Sequence, residues 1–359
     1  MTVDVGFLRD LSTTPGVSGH EEPAQRVVRD RLGRTTVPEV DAFGDVLGEV
    51  NKGATPQVVV TGHADQIGFV VSHVDDHGFV YFRTVGGWDA TITQGREYVI
   101  HTGAGPVAAV SGKRPTHMIP ADERRNAPDL KDQWLDIGAP SREEAEGRVS
   151  PGDPVTVRQS FVELAPDTFA GPAFDDRVGV YVAVRALERY AEDPGRGSLL
   201  ALSTVGEETV SLGARGQALR LRAQCTIVVD GDFATDQPEL DARKGGGVCE
   251  LGKGPVIARG SCSNKRLFAL ACEVAQAEGI PFQVKAYPAP THTDTDELQV
   301  WPDVANLNLA VPMRYMHSPF EVVRGCDAEW TAQLAAALAR RIGEVYEPGY
   351  FVTLEERPS

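Results

Sequence analysis

Short apolar runs rich in β-branched residues, separated by helix-length stretches, constrain this chain more than any other feature. Val58–Val60, Leu199–Thr204 and Thr226–Val229 are bounded by turn residues and lack the alternation of a half-solvated strand, and Asn306–Val311 also reads as a strand. Runs of that kind suit strands buried on both faces of a parallel sheet. Pro23–Leu32, Asp176–Arg189 and Ser263–Glu278 read as helices between them, and Trp330, Leu334, Leu338 and Ile342 lay an apolar stripe along a final one. Strands alternating with helices predict an α/β domain.

From Gly68 to about Gln159 the texture changes. Phe69–Val71 and Phe79–Phe82 flank Asp75-Asp76-His77-Gly78, a hairpin signal, and short β-like runs follow at Tyr98–His101 and Val107–Val110. The charged stretch Ala121–Glu146 reads as a long exposed excursion. The expected organisation is an α/β unit formed by residues 1–67 and 161–359, interrupted by a small β-rich unit at 68–160. A length of 359 residues suits two cores better than one.

Asp and Glu number 51 against 35 Lys and Arg, a formal net charge of −16. That balance argues against nucleic acid and anionic membranes as partners. No apolar run approaches a membrane span, and MTVDVGFLRDLSTTPG lacks the pattern of a secretory signal. Five cysteines without Cys-x-x-Cys spacing read as reduced thiols, with Cys225 in the core, and point to the cytoplasm.

Polar residues able to bind metal follow the apolar runs. His63 and Asp65 come just after Val58–Val60, as an imidazole and a carboxylate to orient it. Asp175-Asp176 opens a helix, where Asp176 also reads as an N-cap. Glu207-Glu208 lies between a strand and a helix, where one carboxylate can bind metal and the other move a proton. Asp230 and Asp232 end the run Thr226–Val229, Asp236 reads as a turn residue, and His317 closes VPMRYMH. In open α/β sheets such strand ends converge on ligands. His63, Asp175, Glu208, Asp230 and His317 would supply two imidazoles and three carboxylates, enough for two divalent ions sharing one carboxylate. Such ligands, without thiolate, suit zinc first and also cobalt or manganese.

These motifs, taken in order, resemble the TET-type aminopeptidases, also called glutamyl or deblocking aminopeptidases, which are dinuclear metallopeptidases. TTPGVSGHE, TGHADQIGF, GGWD, DIGA, VSPGD, AFDDRVG, GEETVSLGARG, DFATDQP, LGKGP and RYMHSPFEVV carry the resemblance over residues 13–323. It implies a phosphorylase/hydrolase-like α/β domain with a central mixed sheet and an inserted small β-barrel or PDZ-like module for association. It further implies that Asp175 bridges two metal ions, that His63 and Asp230 complete one site and Glu208 and His317 the other, that Glu207 is the general base, and that Asp65 orients His63. The implied substrates are peptides with a free N-terminus, and the implied assembly is a homo-oligomer, dimer-based or a tetrahedral dodecamer.

Three positions depart from the pattern. Gln66 stands where many relatives have Glu, Gly231-Asp232 sets an extra carboxylate beside Asp230, and PTHTDTDEL replaces a glycine-rich turn before the last strand. Two further readings stand beside the leading one. A related zinc amidohydrolase, carboxypeptidase or deacylase would need a cation for the substrate carboxylate, with Arg314 the nearest candidate. A non-catalytic peptidase-like assembly module would not need the metal residues.

Overall fold

Parallel strands covered on both faces are largely apolar, and the three apolar runs occupy such positions beside Asn306–Val311, whose buried Asn306 and Asn308 are hydrogen-bonded to Thr226 and Thr295. The computed structural model describes residues 2–121, 129–288 and 290–353. Its main sheet is mixed and eight-stranded, in the spatial order Glu39–Val40, Val46–Val50, Ser198–Thr204, Gln57–His63, Cys225–Phe233, Ala305–Met313, Val256–Gly260 and Gln283–Tyr287. Ser198–Thr204, Gln57–His63, Cys225–Phe233 and Ala305–Met313 run parallel to one another and bury almost every side chain. Their C-terminal ends therefore share one edge, and His63, Thr204 and Asp230 lie there.

The long helix Phe174–Glu192 packs against this sheet and against the last helix, Gly325–Val345. Leu334, Leu338 and Ile342 of the predicted stripe are fully buried. Two glycines let the first of these helices come close to its strand. A Cβ on Gly62 would lie 2.4 Å from the backbone carbon of Gly179, and one on Gly179 would lie 2.6 Å from the Val229 carbonyl oxygen. The helix start, and the two aspartates on it, are thereby pressed against the sheet edge.

Six antiparallel strands close a barrel in the order Gly68–Val74, Val80–Val85, Trp134–Asp136, Gly105–Ser111, Glu97–Thr102 and Pro154–Val157. Phe69, Phe82, Tyr98, Ile100, Leu135 and Val155 fill its core. The predicted hairpin is present: Asp75 accepts from the backbone of His77 and Phe79, and Gly78 takes φ +86°.

The charged excursion is a correction. Residues 122–128 lie outside the described residues, and much of the rest is exposed as expected, but Trp134–Asp136 within it is a strand of the barrel. Gln133, Leu135 and Ile137 point inward while Trp134, Asp136 and Gly138 point outward, so a period-two strand hides in a charged sequence. Ala145, on the short helix Arg142–Glu146, is also fully buried. A second feature is absent from the sequence reading altogether. Val162–Ala165, Thr168–Gly171 and Glu321–Arg324 form a small antiparallel sheet, which brings Glu321 beside the start of the long helix.

All five cysteines are free, and Cys225 is buried in the central sheet. Among the described residues no helix is long and apolar enough to cross a membrane. Leu135→Ala should destabilise the protein by about 2–5 kcal/mol, the usual cost of emptying a packed aliphatic site. Urea denaturation measures it, and a loss under about 0.5 kcal/mol would return this stretch to the surface.

Candidate metal centre

Each strand end delivers a polar side chain to the same small volume. His63 Nε2 lies 3.5 Å from one oxygen of Asp175, and His317 Nε2 lies 3.2 Å from the other. His317 Nε2 is also 3.5 Å from Glu208 Oε2, and His63 Nε2 is 3.7 Å from Glu207 Oε2. One donor atom each from His63, Asp175 and Glu208 fits within 4.8 Å of the others, and the same holds for His63, Asp176 and Asp230. The structure thus gathers His63, Asp175, Glu207, Glu208, Asp230 and His317, and Asp65 lies behind them with Oδ1 3.3 Å from His63 Nδ1.

Three carboxylates fix the backbone beneath these groups. Asp65 accepts from the backbone N–H of Glu207 and of Glu208, each at 3.0 Å, and from the Ser18 hydroxyl at 2.6 Å. Asp176 accepts from the backbone of His63 at 3.2 Å and of Gly179 at 3.0 Å, so its capping role is real and also holds the histidine. Glu321 accepts from the backbone of Asp175 at 2.9 Å and of His317 at 3.0 Å. His317 and Tyr315 have φ of +59° and +61°, a left-handed conformation costly for side-chain-bearing residues and held here by the Glu321 bond and the Arg314–Val322 bridge. Glu321 was not singled out from sequence, although it stands four residues after His317 in a quoted block. Its role depends on the small three-stranded sheet, which the sequence did not suggest.

Burial and crowding decide the charge states. Burial, reinforced by Asp176 and Asp175, pushes the Asp230 carboxyl well above the usual range. Burial likewise pushes Glu207 up to about 8, with Asp294, Glu208 and Asp65 adding to the effect against the pull of His63. Burial opposes ionisation of Asp175 too, but His317 and His63 hold it well below the ordinary value. Hydrogen bonding to Asp175 and Glu208 raises His317 to about 11. His63 is raised despite burial, through Asp175 and Asp65. Buried, like-charged groups with a histidine on either side of one carboxylate form a donor set that fits divalent cations. Glu208 Oε1, buried without a hydrogen-bond partner, is the kind of orphaned acceptor a cation would satisfy.

The profile of M42 glutamyl aminopeptidases matches residues 44–334. The chain belongs to this family. The lysyl aminopeptidase of Pyrococcus furiosus is 33% identical over 355 residues, covering 95% of this chain and 98% of that protein. The TET aminopeptidase of the marine sediment archaeon Thaumarchaeota archaeon SCGC AB-539-E09 superposes with a TM-score of 0.89 at 27% identity, covering 94% and 96% of the two chains. A TET1 peptidase of Pyrococcus horikoshii, which assembles into a tetrahedron or a large octahedral shell, superposes with a TM-score of 0.83 at 27% identity over 93% of this chain and 98% of that one. Membership makes the protein a metal-dependent peptide hydrolase of the aminopeptidase type.

Within this M42 chain the departures have local explanations. Gln66 Oε1 accepts from the buried Arg177 guanidinium at 3.1 Å and from the Gln159 amide at 2.9 Å. In PTHTDTDEL, Asp296 accepts from the backbone of Thr291 and His292, and Glu297 pairs with Arg215 at 2.9 Å, so neither added charge is left bare. Asp294 is buried against the Thr204 hydroxyl, and burial pushes it up to about 6. Asp232 is occupied by Lys285 and Tyr287.

The raised histidines set a pH dependence. His63 and His317 carry protons when no cation is present, so a cation must displace them. Zinc binding to chelator-treated protein should therefore release protons and tighten as pH rises, by about tenfold per pH unit for each proton displaced. Calorimetry in buffers of different ionisation enthalpy measures this, and zero proton release would contradict it.

Proposed function

We propose that the protein is a dinuclear metallo-aminopeptidase that removes N-terminal residues from peptides. In this reading Asp175 is shared between two cations, zinc before cobalt or manganese. His63 and Asp230 complete one site, and Glu208 and His317 the other. The observation that carries it is that the two oxygens of Asp175 face different imidazoles, at 3.5 and 3.2 Å. A carboxylate so placed serves two ions at once, which a single-ion site does not need.

Two cations held there supply Lewis acidity toward the scissile carbonyl and make water acidic near neutral pH. Glu207 is the proton carrier. It takes a proton from the attacking water and returns it to the leaving amine, so the side chain ends as it began. Its backbone is tied to Asp65, its oxygen stands 3.7 Å from His63 Nε2, and its side chain remains 12% exposed, enough to meet substrate. Asp65 orients His63 and the Glu207-Glu208 turn together. Asp175 is held ionised by its two imidazoles, and Glu208 and Asp230, raised by burial, would ionise once cations answer their charge.

The carboxypeptidase reading loses its candidate cation, because the Arg314 guanidinium is engaged by Asp236 at 3.1 and 2.6 Å. The assembly-module reading gives no reason for the buried acids to converge as they do. The proposal extends to organisation: residues 1–67 and 161–359 act as the catalytic unit, and 68–160 as an inserted module through which copies associate into dimers or a dodecamer. The free cysteines support a cytoplasmic setting.

Glu207→Gln should retain metal and lose about 10²- to 10⁴-fold in kcat. Metal analysis beside a leucyl-anilide assay tests both halves, and near-normal turnover would remove Glu207 from the role. A peptide with a free amine should be cleaved and its N-acetylated form left intact, as followed by mass spectrometry; equal cleavage of both would favour a deacylase or endopeptidase.

A further inference from the structure

Two segments that carry members of the cluster go on to wall a cavity of about 420 Å³ beside it. The strand Cys225–Phe233 supplies Asp230 and then Phe233. The segment after the strand Ala305–Met313 supplies Tyr315 and Met316 just before His317. Phe233, Leu240 and Tyr315 present large apolar surface there, at 58%, 44% and 49% exposure, over the buried thioether of Met313. Apolar walls with adaptable methionines suit an apolar ligand.

The same wall contains a cation. Lys285 is only 6% exposed, and its ammonium donates to Asp232 Oδ1 at 2.6 Å. The Tyr287 hydroxyl donates to the other oxygen of Asp232, also at 2.6 Å. Asp232 is itself 4% exposed, so the pair is dry and each charge answers the other. The remaining lining charges also balance: Asp241 pairs with Arg243 at 2.8 Å, and Glu239 and Lys244 are opposite in sign. A carboxylate entering this cavity would find the lysine already taken and Asp232 repelling it. An ammonium entering would find Asp232 already taken and Lys285 repelling it.

We propose that this cavity receives the side chain of the substrate's N-terminal residue, that it selects uncharged apolar side chains, and that Asp232 determines this selectivity by neutralising Lys285. The proposal rests on the aminopeptidase reading above. Asp232 does not touch the reacting atoms; it acts through the charge of the wall.

The test compares kcat/KM for leucyl-, glutamyl- and lysyl-anilides with the zinc-loaded protein. The wild type should favour leucyl over both charged substrates. Asp232→Asn leaves the lysine charge unanswered and should raise the glutamyl-to-leucyl ratio by about tenfold or more. Lys285→Met leaves the carboxylate unanswered and should raise the lysyl-to-leucyl ratio instead. The double variant, with neither charge, should return both ratios to the wild-type values, an outcome that lost packing alone would not give. A wild type that prefers a charged residue, or single variants that lower all three substrates equally, would overturn the proposal. If no anilide or free-amine peptide is cleaved with any of the three metals, the aminopeptidase reading itself fails, and this one with it.

Discussion

Carboxyl groups are crowded into a dry volume at the carboxyl edge of the sheet, and much of the surrounding structure answers that one constraint. Asp65, Asp175, Asp176, Asp230 and Glu321 are all nearly inaccessible to water. Ions of one sign cannot share such a place without opposite charge or hydrogen bonds. Three answers are visible. The imidazoles hold Asp175 ionised. Backbone N–H groups are spent on Asp65, Asp176 and Glu321. Asp176, Asp230 and Glu321 are pushed toward their neutral forms by burial and by one another. Cations relieve the same crowding more completely, so the energetics that make the cluster costly alone make it a strong receptor for divalent ions.

A buried guanidinium ties the chain's first residues to this cluster. Arg177 is fully enclosed and donates to the carbonyls of Leu11, Thr14, Gly16 and Ala64 and to the Gln66 amide oxygen. Burial pulls its pKa down to about 10, which leaves it charged at neutral pH. It follows Asp176 directly, so the helix start that positions the aspartates also anchors residues 11–16. That anchorage sets Ser18 where its hydroxyl reaches Asp65. The N-terminal segment offers no metal ligand in the proposed set, yet it determines the orientation of a carboxylate that does touch His63. Gln66 in place of Glu keeps the hydrogen bond and forgoes a full ion pair.

The sequence made the catalytic edge legible because buried parallel strands leave an unmixed signal. Val58–Val60 and Leu199–Thr204 suit strands buried on both faces, and polar residues directly after parallel strands of one sheet lie at one sheet edge. The candidate residues that the fold gathers came from that placement, and the roles proposed for them came from the family resemblance of the ordered motifs. Half-solvated strands were harder. Trp134–Asp136 alternates inward and outward within a charged stretch, and only pairing across the barrel reveals which parity is buried. Glu321 was hidden for another reason: His317 is a local partner, but Asp175 is brought to it by pairing with Thr168–Gly171, a contact that no local pattern encodes.

Asp230 and Asp232 show the limit most clearly. They are the same residue type, two positions apart, and so on the same face of one strand. From sequence both add negative charge beside the metal residues. In the fold only Asp230 joins the metal residues, grouped with His63 and Asp176. Asp232 is answered by Lys285, 53 residues later, in an ion pair that no spacing rule predicts. The charge a substrate meets is therefore a property of pairs rather than of residue types. The acidic surplus of −16 says little about any one pocket, because a buried acid matched by a buried base contributes almost nothing to the field beyond its immediate neighbours. What remains to attract cations at this edge is the set of carboxylates whose partners are imidazoles and backbone amides, and those are the groups the sheet brings together.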